Sequence, residues 1–136
     1  MARGRVTGGS LILDSQGLSG YIDQDRAVLN LIRSALERGA DRIISAVTLI
    51  EAQRPGLKRP RREYMLSQLN VKPLIVPWAK EAAQLLEDVG LRGHAHAIDA
   101  MVAVTALHQV PPVVMLTSDV DDMTLLCGDR VRLVAV

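Results

Sequence analysis

Apolar positions in this chain fall into two alternating patterns: short unbroken runs, and longer stretches at helical spacing. Ser10 to Leu13, Arg42 to Val47, Val113 to Thr117 and Val131 to Val136 read as strands, the first as a short, fully buried one. Val71 to Val76 reads as another, interrupted by Pro73, which suits a sheet edge. Between them, Asp23 to Arg38 carries Ala27, Val28, Leu31, Ile32, Ala35 and Leu36 on one helical face, and Gly39 ends it. Thr48 to Gln53 reads as a helix start, with Thr48 as N-cap and Glu51 at capping-box spacing. Pro55 to Pro60 reads as a loop and Arg61 to Leu69 as a short helix. Pro77 to Val89 is a helix opened by proline and closed by Gly90. His94 to His108 is the most apolar helix, and Val120 to Leu126 a short one.

Strands alternate with helices, and several strands are apolar on both faces. That predicts an α/β fold with a parallel sheet covered on both sides. The 136 residues suit one domain spanning 1–136, with residues 1–9 as a loose N-terminal extension.

Composition narrows the function. There is no Phe, one Trp and two Tyr, too few rings for a base-stacking platform. The net charge is +1, so nucleic-acid binding requires a local patch. Cys127 is the sole cysteine, which rules out an internal disulfide and fits a reducing compartment. Leu11 to Leu13 is too short for a signal-peptide core, and no run is long enough for a membrane span. These features predict a cytoplasmic protein with no membrane partner.

Against this apolar background, three acids stand out. Asp14 ends the first strand, Asp119 follows the fourth, and Asp99 sits inside the most apolar helix. A buried carboxylate without a partner is costly. Ligands of open parallel sheets bind beyond the carboxyl ends of the strands. Asp14 and Asp119 lie at those ends, and Glu51 opens the helix after the second strand. Each also has a plainer reading. Asp119, with Asp122, suits an acidic helix start, and Glu51 a capping box. Asp14 could cap a turn, although Ser15, Gln16 and Gly17 start no clear helix. Asp99 is the hardest to explain by packing. Together they suit Mg²⁺ or Mn²⁺, which take oxygen ligands and can activate water at a phosphodiester.

Leu11-Ile12-Leu13-Asp14, Glu51, Ile98-Asp99-Ala100 and Leu116-Thr117-Ser118-Asp119-Val120-Asp121-Asp122-Met123 resemble the four acidic motifs of PIN-domain ribonucleases, in particular VapC-type toxins of bacterial toxin–antitoxin pairs. The resemblance covers nearly the whole chain. It implies a three-layer fold with a five-stranded parallel sheet in the order 3-2-1-4-5 and helices on both faces. It implies an Mg²⁺- or Mn²⁺-dependent endoribonuclease, a homodimer and a cognate antitoxin. Asp14, Glu51, Asp99 and Asp119 take the catalytic positions, and Asp14, Asp99, Asp119 and Asp122 the metal. Many relatives carry an acid three residues before the third motif, where this chain has His96. His96 and Asp99 share a helix face, so His96 reads as a supporting residue that orients a carboxylate or contacts phosphate.

Arg54, Lys58, Arg59, Arg61 and Arg62 cluster soon after Glu51 and are candidates for phosphate contact, with a solvated loop as the plain alternative. Arg61 and Arg62 at a helix start oppose its dipole, which favours another purpose. Ser118 and Thr117 are hydroxyls able to bind phosphate or an acid, with helix capping the simpler reading of Ser118. Two rivals remain: a non-catalytic module of the same fold that binds RNA or an antitoxin, and a metal-dependent phosphatase. The phosphatase requires a second Asp two residues after the first, and Asp14-Ser15-Gln16 lacks it.

Overall fold

The computed structural model describes residues 8–136. Residues 1–7 of the expected N-terminal extension lie outside the described part. Gly9 is tied in, its carbonyl accepting from the Asp41 N–H at 3.0 Å.

The elements run β1 (Ser10–Leu13), α1 (Ser15–Ile22), α2 (Arg26–Glu37), β2 (Asp41–Ser45), α3 (Thr48–Glu51), α4 (Arg59–Leu66), β3 (Asn70–Lys72), α5 (Val76–Val89), α6 (Gly93–Leu107), β4 (Val113–Thr117), α7 (Val120–Cys127) and β5 (Arg132–Ala135). All strand pairings are parallel, and the sheet order is β3-β2-β1-β4-β5. The expected architecture is therefore present.

Period-two alternation sorts β1 onto two cores. Ile12 joins Ile43, Val113 and Met115 under α5, α6 and α7. Leu11 and Leu13 join Ile44 and Leu116 under α1, α2 and Met65 of α4. Cys127 belongs to the first core, where burial pushes its thiol up to about 11. It is a packing residue there. No helix among the described residues is long and apolar enough to cross a membrane.

The structure corrects several sequence expectations. Ser15 to Ile22 is a helix that the sequence did not announce, and Asp14 is its N-cap, accepting from the Gln16 and Gly17 N–H groups. The helix contains Gly17 and Gly20, which lower helix propensity. Contact explains them. A Cβ on Gly20 would lie 2.5 Å from a Val28 methyl, and one on Gly17 would lie 3.1 Å from the Leu116 carbonyl oxygen. The glycines let α1 sit against both α2 and the sheet.

Thr48 does not cap α3. Val47 holds that position without a side-chain bond, and the Thr48 hydroxyl is buried without a partner. Helix α4 starts two residues early, because Pro60 fits its first turn, where no N–H donor is needed. Strand β3 stops at Lys72, before Pro73, and lies at the sheet edge. Helix α2 starts at Arg26, with the Asp25 carboxylate accepting from the Val28 N–H.

Candidate acidic metal centre

The register places Leu13 opposite Leu116, so the carboxyl ends of β1 and β4 are neighbours. The Asp14 N–H donates to the Leu116 carbonyl at 3.2 Å, which fixes the acid at this edge. Asp14 is only 5 % exposed. Both capping N–H bonds go to its Oδ1, at 2.9 and 3.0 Å, which leaves Oδ2 for other partners. Burial raises the Asp14 carboxyl above its ordinary value, against the pull of the Thr117 hydroxyl and the Gly17 and Gln16 N–H groups, and the Asp119 charge adds to the rise.

Thr117 is fully buried at the end of β4, and its Oγ1 accepts from the Asp119 N–H at 2.9 Å. This turn aims the chain outward. Asp119 holds the N-cap position of α7, yet its side chain makes no capping bond, so its carboxylate is free for the site. Ser118, read from sequence as a cap, is exposed and caps nothing. It lines an open polar cleft of about 320 Å³ with Asp119, Val120, Asp121 and Asp122.

Helix α6 brings in Asp99 from one face of the sheet. Its carboxyl is pushed up to about 6, first by burial, then by the Asp119 and Asp122 charges; His96 opposes this and Asp14 adds to it. From the other face comes Glu51, at the end of α3. Its carboxyl is raised by burial and by the charges of Asp14 and Asp119, with the Ser15 hydroxyl opposing. Ser15 was missed from sequence. Recognising Asp14 as an N-cap would have placed the next hydroxyl at the mouth of the site.

The acids Asp14, Glu51, Asp99, Asp119 and Asp122 are therefore linked through their charges, from the end of β1, α3, α6 and the start of α7. Among the described residues, none has a Lys or Arg nitrogen within 4.0 Å. Such crowding of carboxylates is unfavourable without a cation. The donor set is rich in carboxylate oxygen and suits a hard divalent ion.

His96 also reaches this edge. Its Nδ1 lies 3.5 Å from Asp122 Oδ2 and 3.9 Å from Asp99 Oδ2. That nitrogen is buried and hydrogen-bonds to neither acid.

The basic cluster divides. Arg54 is engaged: its guanidinium meets Asp23 Oδ1 at 2.7 Å and the Ser19 hydroxyl at 2.9 Å, stapling the segment after α3 to α1. Arg62 lies 3.8 Å from Glu63. Lys58, Arg59 and Arg61 are exposed and form no ion pair among the described residues.

Comparison with known proteins bears on this frame. No protein-family model and no curated protein matches the sequence. Among solved structures, the chain is similar to a chain of the VapBC2 complex from Rickettsia felis, bound to a DNA fragment from their promoter. The TM-score is 0.67 at 14 % identity, over 93 % of this chain and 98 % of that one. The fold is a VapC-like PIN fold. In this PIN fold the acids stand where β1 and β4 end side by side.

Proposed function

We propose that this chain is a divalent-metal-dependent endoribonuclease, the toxin of a toxin–antitoxin pair. The observation that carries the reading is the grouping of five carboxylates, with no Lys or Arg partner among the described residues, at the carboxyl edge of a VapC-like sheet. A stability-driven design would pair or remove such charges.

Asp14, Asp99 and Asp119 would hold the metal, with Glu51 and Asp122 completing its surroundings. When bound, the ion lowers the pKa of a coordinated water and offsets charge on the phosphodiester. The protein's own part is positional. Two N–H bonds fix one oxygen of Asp14 and leave the other directed elsewhere. The Thr117 turn frees the Asp119 carboxylate. Ser118, which lines the cleft, would contact a phosphate oxygen.

Lys58, Arg59 and Arg61 supply positive charge for the RNA backbone, and their place at the start of α4 adds to the dipole's positive end. Replacing all three with Gln is expected to weaken RNA binding and flatten its dependence on log salt by roughly two to three counterions. Titrations of labelled RNA at several salt concentrations measure both.

The VapBC2 neighbour was solved with its promoter DNA. That supports a cognate antitoxin as partner here, and a homodimer is the assembly we propose. The deciding experiment incubates purified protein with defined tRNA and mRNA substrates in Mg²⁺, Mn²⁺ or EDTA. Discrete fragments that disappear with EDTA are the expected result. No cleavage together with no metal binding by calorimetry would replace this reading with a non-catalytic interaction module.

A further inference from the structure

We propose that His96 Nδ1 is a metal ligand, forming with Asp99 and Asp122 a mixed nitrogen–oxygen site that selects Mn²⁺ and Co²⁺ over Mg²⁺. The proposal rests on the metal-dependent reading above, shares Asp99 and Asp122 with its acidic centre, and adds a nitrogen ligand to them.

Three observations carry it. First, the spacing suits ligands around one ion. One ligand atom from each of His96, Asp99 and Asp122 lies within 4.8 Å of the others. Two atoms each about 2.1 Å from an ion are about 3.0 Å apart at a right angle and about 3.4 Å apart at the tetrahedral angle. The Nδ1 separations of 3.5 and 3.9 Å are wider than both values, so the side chains would draw inward by a rotamer adjustment on binding.

Second, Nδ1 is buried and has no hydrogen-bond partner although two carboxylates lie beside it. An unpaired buried polar atom is costly. A bound cation satisfies the nitrogen and both acids together.

Third, the backbone departs from helical geometry at this residue. His96 has φ −122° and ψ 19° inside α6, while the chain on either side is helical. The residue at this kink is the one whose ring nitrogen lies 3.5 Å from Asp122 of α7.

The selectivity follows from ligand chemistry. Mg²⁺ favours carboxylate and water oxygen, whereas imidazole nitrogen adds affinity for later first-row ions, with Co²⁺ above Mn²⁺. Replacing the histidine with an acid makes the ligands all oxygen.

The test begins with unmodified protein loaded with Mn²⁺. Pulsed electron paramagnetic resonance is expected to show ¹⁴N coupling from a directly bound imidazole. Calorimetric titrations of the wild type and His96→Asp with Mn²⁺ and Mg²⁺ then compare selectivity. His96→Asp is expected to narrow the Mn²⁺/Mg²⁺ preference by about tenfold or more. Bound Mn²⁺ without nitrogen coupling, or an unchanged preference in His96→Asp, overturns the histidine assignment and leaves the nuclease reading standing. Failure to bind any divalent ion overturns both. The resonance measurement needs no variant, so misfolding of His96→Asp cannot rescue the proposal.

Discussion

Asp99→Asn is expected to make the metal-free protein more stable at pH 7.5 while removing the proposed nuclease activity. The wild-type carboxyl, pushed up to about 6 by burial and neighbouring acids, is forced to ionise in an unfavourable place. Its side chain is 23 % exposed, so solvent screens part of that cost. The shift from 3.8 corresponds to a gain on the order of 2 kcal/mol for the neutral amide. In the proposed metal centre the same change would remove a carboxylate ligand, so cleavage should fall about a hundred- to a thousandfold. Urea unfolding in EDTA and single-turnover cleavage measure the two effects. A substantial loss of stability in EDTA would identify Asp99 as a structural partner instead.

Metal affinity and metal-free stability should move in opposite directions with pH. Asp99 has a folded pKa above its unfolded one, so the native state binds more protons than the unfolded chain between about pH 4 and pH 6. The associated stability is fully present below about pH 4 and is lost as pH rises through about 6. Asp14 and Glu51 are shifted in the same direction and reinforce this. Metal binding requires the ionised form, so protons compete below about pH 6, and affinity should fall about tenfold per pH unit there. Unfolding in EDTA at pH 4.5, 6 and 8, and calorimetry across the same range, test both slopes. Asp99→Asn should flatten each. Identical pH profiles for wild type and variant would remove Asp99 as their source.

The parts of the molecule legible in the sequence were those governed by burial. The apolar runs of β1, β2 and β4 located the strands, and the resemblance supplied their order. Asp14 and Asp119 followed, because each stands directly beyond a strand that must be buried. What escaped notice depended on contacts between distant residues. Helix α1 was hidden by glycines whose purpose is close approach to Val28 and Leu116, which no local pattern announces. The capping use of Asp14 was hidden with it. Arg54 looked like a member of the basic cluster until Asp23 and Ser19, far back in the chain, took up its guanidinium. The meeting of His96 with Asp122 required the packing of α6 on α7.

The double use of Asp14 also guides the choice of variants. Asn remains a good helix cap, whereas Ala removes both the cap and the site acid. Asn is therefore the substitution that isolates chemistry from folding.

The parallel pairing of β1 with β4 has a consequence for synthesis of the protein. Asp14 and Asp119 meet across more than a hundred residues of sequence. A ribosome makes the chain from the Asp14 end. While β4 and α7 are still inside the ribosome, the emerging polypeptide has no complete set of carboxylates. Under the proposed function, the chain would stay harmless to the message and tRNAs that are producing it until residues through Asp122 have emerged.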